Sequence, residues 1–199
     1  SKVRTFSKEA LKKIITDAGY GKAEFYYPFP DYKFPVQNFS DEYLPREDDL
    51  NIGLDTFDNT RMMLFNENRV YANLLKEKKF EFFANSFLVE CSDCGDLGKV
   101  TYAKLPDERK EQYRILTRFT REHTVEKKPL SKVCEQNHMR QMLKSQSIFS
   151  KNGMNIVEYT AENGILTCDY VHKPLLEDVI LKASEERNVS EIYRLMDLL

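Results

Sequence analysis

The chain of 199 residues carries 30 basic and 32 acidic residues, a formal net charge of -2, and 41% of its residues are hydrophobic. Such a composition supports a packed core, whereas the nearly balanced charge does not favour binding to nucleic acid or to an anionic membrane surface. No apolar run approaches the roughly 20 residues that span a bilayer, and the first residues lack the pattern of a signal peptide. We therefore expect a cytoplasmic protein without nucleic-acid partners and without a transmembrane segment.

The first 40 residues carry a helix signal, a strand signal and a proline-rich segment. Ser7 is placed to cap a helix with the 3.6-residue apolar period, and Gly19 is placed to end it. Residues 23–27 alternate as a strand does. The segment YYPFPDYKFP follows, and its prolines predict an aromatic loop because they cannot continue a regular element.

The remainder of the first half predicts a surface excursion, two helices and a strand. Residues 39–59 contain several acids and few apolar side chains, which indicates a segment at the surface. Helical periodicity returns at 58–65 and at 67–78. The nearly continuous apolar run at 82–90 predicts a strand that is buried on both faces.

A polar junction at 92–98, rich in Gly and Asp, predicts a boundary between residues 1–97 and 98–199. Ser131 is placed to cap a helix, Asn163 and Gly164 form a hairpin turn, and Asn188 marks a break in a final helical region. The patterns beyond the junction predict, in chain order, strands at 100–105, 113–122 and 123–128, a helix from 131, strands at 155–162 and 165–171, and terminal helices.

Three strings in the first half are similar to a known family: TFSKEALKKIITDAGYGKAEFYYPFPDYKFP, FSDEYLP and FFANSFLVEC. Residues 1–97 resemble the C-terminal half of a class I S-adenosylmethionine-dependent methyltransferase of the bacterial surface-polysaccharide type. The resemblance implies a partial Rossmann-like α/β sheet, cut from a larger enzyme. It also implies that this parent methylates a saccharide or lipid-linked glycan acceptor.

The same resemblance bears on cofactor and acceptor binding. The glycine-rich turn and the acidic residue that hold S-adenosylmethionine belong to a half absent from this chain, so we expect the chain to bind none. An acceptor would be bound near Tyr27, Asp31, Tyr43 and Arg46. Packing of the aromatic segment against its own underside is the simpler alternative.

Residues 98–199 resemble the N-terminal lobe of a protein-kinase-like fold, in the order three strands, helix, two strands, connector, and in the string TVEKKPL. The resemblance implies an α+β antiparallel-sheet lobe in which Lys127 neutralises the phosphates of ATP bound with Mg²⁺. Glu135, or alternatively His138, would hold this lysine. The connector that begins at Asp169 and includes Val171 would contact the adenine.

Two departures weaken this second resemblance. The loop LPDERKEQ stands where glycines would cover the phosphates, and no HRD-like or DFG-like string follows. We therefore assign no catalytic residue and expect the lobe alone to transfer no phosphate. The single CxxC pair, Cys91 and Cys94, has no second pair of ligands, so we expect no metal site.

Two functions remain open from the sequence. The chain is either the junction fragment of a bifunctional enzyme that modifies surface glycans, or a noncatalytic module that docks a glycosyltransferase or mediates dimerisation. An incomplete sheet leaves an unpaired edge, which predicts association with another chain as a homo-oligomer.

Overall fold

The computed structural model describes residues 5–46, 49–50, 67–106 and 109–197. The chain comprises two compact units, Ser1–Asp169 and Tyr170–Leu199. The helices and strands of both units are α1 (Lys8–Asp17), β1 (Lys22–Phe29), β2 (Gln37–Ser40), α2 (Glu67–Lys76), β3 (Leu88–Ser92), β4 (Val100–Lys104), β5 (Ile115–Thr120), β6 (Thr124–Pro129), α3 (Lys132–Cys134), α4 (Arg140–Lys151), β7 (Thr160–Glu162), β8 (Ile165–Asp169), α5 (Leu176–Glu185) and α6 (Val189–Met196). Short 3₁₀ turns occur at Phe80–Phe83 and Glu111–Tyr113, and a π-helical turn, Glu135–Met139, joins α3 to α4.

The strands of the first unit form one open antiparallel sheet in the order β3-β1-β2-β4-β5-β6-β8-β7. The mixed helix and strand content expected from the sequence is therefore confirmed. The boundary predicted between residues 97 and 98 falls inside this sheet, because β2 pairs with β4 through Gln37 and Lys104 and through Asn38 and Ala103. Residues on both sides of that boundary belong to the first compact unit.

One face of the sheet, here called the core face, carries the apolar side chains. Residues opposite each other in paired strands share a face, and alternate residues of one strand return to it. A cluster under α1 and the first 3₁₀ turn consists of Phe25, Tyr27, Phe29, Phe39, Leu75, Phe80 and Tyr102. A second cluster, under the helical segment 132–151, consists of Ile115, Cys134, Met139 and Leu166.

Several local signals in the sequence are confirmed. The Ser7 side chain accepts a hydrogen bond from Ala10 N at 3.2 Å and caps α1, and Gly19 ends the helix with a φ of 94°. The predicted hairpin turn joins β7 to β8, with positive φ at both Asn163 and Gly164. Its first strand starts at Thr160 rather than at 155.

The shorter hairpin has a physical cause in the preceding residues. The Gln146 side chain of α4 donates to Tyr159 O at 3.2 Å and accepts from Tyr159 N at 2.7 Å. This pair of bonds occupies the backbone that would otherwise extend β7, because each backbone group needs one partner.

The prediction that the proline-rich segment ends β1 at residue 27 was wrong, since the strand continues through Pro28 to Phe29. Asp41 N donates to Phe25 O, so the odd-numbered residues of β1 direct their backbone groups toward β2. Pro28 faces the other side, where pairing with β3 has already ended at Tyr26. The missing N–H of proline therefore costs no ladder bond.

The predicted buried strand at 82–90 was also wrong. Phe80–Phe83 form a 3₁₀ turn, and β3 begins only at Leu88, at the edge of the sheet. Phe82 is 80% exposed and Leu88 is 55% exposed, so this apolar run does not mark a central strand. The predicted surface excursion fails at its start, because Phe39 and Ser40 are fully buried in β2. The helix predicted at 58–65 lies outside the described residues.

The second unit consists of α5 and α6, which pack against each other and bury Ala183 and Leu195. The Asn188 side chain accepts from Glu191 N and caps α6, which confirms the predicted break. Large apolar side chains of this unit are exposed at Leu175, Leu181, Tyr193 and Met196. Within the described ranges, no helix is both long enough and apolar enough to cross a membrane.

Candidate functional site

Lys127 lies near the middle of β6, between Thr117 of β5 and Leu166 of β8. Leu166 belongs to the core cluster under the helical segment 132–151, so Lys127 lies on the same face of the sheet as that segment. Its side chain is half-buried. In the part of the chain that the structure describes, this side chain makes no hydrogen bond and no ion pair.

The charge of Lys127 nevertheless acts on a neighbour. Burial raises the pKa of the Cys168 thiol, and the Lys127 ammonium opposes that effect. Cys168 and Leu166 are alternate residues of β8 and share the core face. The Lys127 ammonium therefore adds positive charge to this face, and no carboxylate of the described residues forms an ion pair with it.

Neither predicted partner of Lys127 is bonded to it. Glu135 is exposed, and its carboxylate lies above the hairpin turn, where a Cβ added to Gly164 would come within 3.3 Å of Glu135 Oε1. His138 is half-buried and packs edge-on against Tyr113, with ring centroids 5.4 Å apart. Neither residue forms an ion pair or hydrogen bond with Lys127 among the described residues.

The predicted hinge residues are divided between the two compact units. Asp169 is the last residue of β8, lies opposite Thr124 and is exposed. Its side chain is on the face opposite Lys127, because its neighbour Cys168 is on the core face. Val171 belongs to the second unit and is 51% exposed. An adenine-binding role for either residue stays a prediction.

The four predicted acceptor-binding residues each contact a different set of neighbours. Tyr27 is fully buried, whereas the other three lie in or beside the loops that follow β1 and β2. Their contacts are Tyr27 with Asp41 and Glu81, Asp31 with Lys33 N at 2.6 Å, Tyr43 with the Tyr102 ring at 4.8 Å, and Arg46 with Asp49 at 3.5 Å. Because Tyr27 is sealed in the core, its contribution to acceptor binding would require displacement of its neighbours.

Sequence reasoning missed a charged cluster at the start of α1. Lys8 Nζ lies 2.7 Å from Asp41 Oδ1 and 2.5 Å from Glu81 Oε2. Burial lowers the pKa of Lys8, but the hydrogen bonds to both carboxylates outweigh it and the pKa is raised. Burial and the hydrogen bond to Asp41 likewise raise the pKa of Tyr27. The partners are 33 and 73 residues from Lys8, so no local pattern could reveal them.

A second charged network lies on the face opposite the core. Arg121 pairs with Glu24 at 3.4 Å and also with Glu42, which links β5 to the strands before residue 97. Glu126 pairs with Lys99 at 2.5 Å and with Arg118 at 2.6 Å. Burial alone would raise the pKa of Glu126, but these two cations lower it. The network joins both predicted halves by charge as well as by strand pairing.

The described residues offer a cation for a phosphate but no cluster of ligands for a metal ion. No group of three or more His, Cys, Asp or Glu side chains that could hold a metal ion occurs in the described ranges. All four cysteines are unbridged. Lys127 can neutralise a phosphate, whereas the described residues offer no cluster of carboxylates for Mg²⁺.

No family model, no curated protein and no solved structure matches this chain.

Proposed function

We propose that residues 98–199 are a nucleotide-binding lobe of protein-kinase-like type, in which Lys127 neutralises the phosphates of ATP. Residues 1–97 would come from a cytoplasmic methyltransferase of bacterial surface-polysaccharide biosynthesis. The observation that carries the proposal is the half-buried Lys127 without a bonded partner among the described residues. The Lys127 ammonium is therefore available to an anionic ligand, which would supply its counter-charge.

The order of elements supports the same proposal. Three strands, a helical segment and two further strands follow one another from β4 to β8, and all five strands are consecutive in the antiparallel sheet. Lys127 is on the third of them, and the helical segment covers the same face. This is the order that a kinase-like lobe implies.

The methyltransferase part of the proposal concerns the parent enzyme. S-adenosylmethionine and the saccharide or lipid-linked glycan acceptor would bind there, because the cofactor-binding turn is not in this chain. This part of the proposal rests on the resemblance of the three strings, since β1 pairs antiparallel with both β2 and β3.

Calorimetric titration of the 199-residue chain with ADP, with and without Mg²⁺, tests the nucleotide-binding proposal. We expect ADP to bind, and Lys127→Gln to weaken binding about tenfold, the effect of losing one charged hydrogen bond. Lys128→Gln is the matched control, because Lys128 is the next residue of β6 and lies on the other face. Equal ADP binding by wild type and Lys127→Gln would contradict the proposal.

A parallel thermal-shift titration with S-adenosylmethionine tests the methyltransferase part. A ligand that binds only the folded state raises the melting temperature. We expect no shift, and a shift would contradict the view that this chain lacks the cofactor site.

An interaction module is the alternative function, and the edge of the sheet favours it. β3 is an edge strand, and Leu88 at its start is 55% exposed. Such an edge can pair with a second copy of the chain. Light scattering after size-exclusion chromatography would support this alternative if the chain were dimeric and Leu88→Lys made it monomeric.

A further inference from the structure

A second lysine lies on the same cross-strand row as Lys127. Lys104 of β4 pairs with Thr117 of β5, and Thr117 pairs with Lys127 of β6. Directly opposite residues share a face, so the two lysines flank one hydroxyl on the core face. Neighbouring strands lie about 4.8 Å apart, which places the two lysine Cβ atoms roughly 10 Å from each other.

The ends of this row are occupied by groups that do not neutralise it. On the side of Lys104, Gln37 is buried, and its amide donates to Asp49 O at 2.7 Å and to Tyr102 Oη at 2.9 Å. On the side of Lys127, Leu166 is apolar and packs in the core. As for Lys127, no hydrogen bond or ion pair of the Lys104 side chain occurs in the described ranges.

The row lies between the two core clusters. Tyr102 belongs to the cluster under α1, and Ile115 and Leu166 belong to the cluster under the helical segment 132–151. Lys104, Thr117 and Lys127 are each half-buried rather than sealed. An anion that lies between the two lysines would be attracted by both positive charges.

We propose that Lys104, Thr117 and Lys127 form one anion-binding row that holds a chain of two or more phosphates, with Lys104 as a second phosphate ligand. The inference rests on the proposed nucleotide-binding function and extends it to a ligand class, nucleoside di- and triphosphates. Each lysine supplies a positive charge and up to three N–H donors, and the Thr117 hydroxyl donates between them. Two lysines on one row suit a linear polyphosphate better than a single carboxylate.

The row binds a short polyanion rather than a nucleic acid. Among the described residues two lysines lie on this row, and the whole chain carries a formal net charge of -2. Nucleic-acid binding at physiological salt draws on many more phosphate contacts. The experiment below distinguishes the two possible sources of the phosphates, a nucleotide and an inorganic polyphosphate.

The test is calorimetric titration of the full chain with ADP, with inorganic pyrophosphate and with adenosine. Lys104→Gln and Lys127→Gln should each weaken the binding of ADP and pyrophosphate about tenfold, and leave adenosine binding unchanged. Thr117→Val should weaken ADP binding by a smaller factor, and Thr117→Ser should restore it. Lys128→Gln is the control on the opposite face and should change binding less than twofold, and melting temperatures confirm that each variant is folded.

The outcomes distinguish this inference from the function on which it rests. If Lys127→Gln weakens ADP binding and Lys104→Gln does not, the anion-binding row is refuted and the nucleotide-binding function stands. If both variants weaken pyrophosphate binding but adenosine does not bind and ADP binds no more tightly than pyrophosphate, the row stands and the nucleotide function fails. If neither ADP nor pyrophosphate binds, both are refuted.

Discussion

Phe39 provides the sharpest test of the claim that both halves of the first unit share one core. Its ring is fully buried, 5.6 Å from the ring of Phe80 and 5.1 Å from that of Tyr102. Phe80 precedes the predicted boundary at residue 97 and Tyr102 follows it. Truncation in Phe39→Ala removes both contacts and leaves a cavity, which typically costs about 3 to 5 kcal/mol. Domains are stable by only about 5 to 15 kcal/mol, so we expect a large fraction of the stability to be lost.

Urea unfolding and amide hydrogen exchange together provide the assay. We expect Phe39→Ala to lower the urea midpoint and to speed amide hydrogen exchange in β5 and β6 as well as in β1, because all three strands belong to one sheet. Phe82→Ala is the matched control, since Phe82 is 80% exposed and its loss should change stability by no more than about 0.5 kcal/mol. Unchanged exchange in β5 and β6, with faster exchange confined to β1, would refute the shared core.

Three further substitutions test the charges and the turn. The pKa of Glu126 is lowered in the fold, so the stabilisation from this carboxylate is complete above about pH 4.3 and is lost as pH falls through the folded pKa. Glu126→Gln should therefore lower the free energy of unfolding by about 2 kcal/mol at pH 7. In urea unfolding this difference from wild type should shrink below about pH 4. A constant deficit would contradict this assignment. The pKa of Lys8 is raised, so the stabilisation from its ammonium is complete below about pH 10 and declines at higher pH. The difference in urea midpoint between wild type and Lys8→Met should therefore narrow from about pH 10 to about pH 11.5. A difference that widens would disprove the contribution of the ion pairs. Gly164 has a φ of 76°, and a Cβ added there would approach the Glu135 carboxylate. Gly164→Ala should therefore lower the free energy of unfolding by about 1 kcal/mol, measured by thermal unfolding. An unchanged melting temperature would show that the turn relaxes.

Local chemistry predicted much of the secondary structure. The caps at Ser7 and Asn188 and the turn at Asn163 and Gly164 each depend on side-chain and backbone preferences within a few residues. The strands β4, β5 and β6 are also confirmed near their predicted positions. Such signals depend on neighbouring residues alone, so they can be recognised in the sequence.

The failures arose where distant partners decide the structure. Pro28 is tolerated because the pairing of β1 with β3 has already ended at Tyr26, and β3 lies 60 or more positions further along the chain. The apolar run at 82–90 is divided between a 3₁₀ turn, in which Phe82 is exposed, and the edge strand β3. Strand order and register are set by such long-range pairing, which periodicity alone does not report.

The residues of the proposed anion-binding row illustrate the same difference. Lys127 was selected from a short string, and its place on the third strand of the second half follows from local patterns. Lys104 was not found, because only the register of β4 on β5 brings it to the row of Lys127. The cluster of Lys8, Asp41 and Glu81 likewise depends on folding rather than on spacing.

Amine labelling of lysines directly tests the proposed binding of nucleotide phosphates at Lys127. The labelling is read out by mass spectrometry with and without saturating ADP. A bound phosphate chain would shield the Lys127 ammonium, whereas Lys128, on the opposite face and exposed, would remain reactive. We expect ADP to lower the labelling of Lys127 severalfold and to leave the labelling of Lys128 unchanged. Equal labelling of Lys127 in the presence and absence of saturating ADP would contradict it.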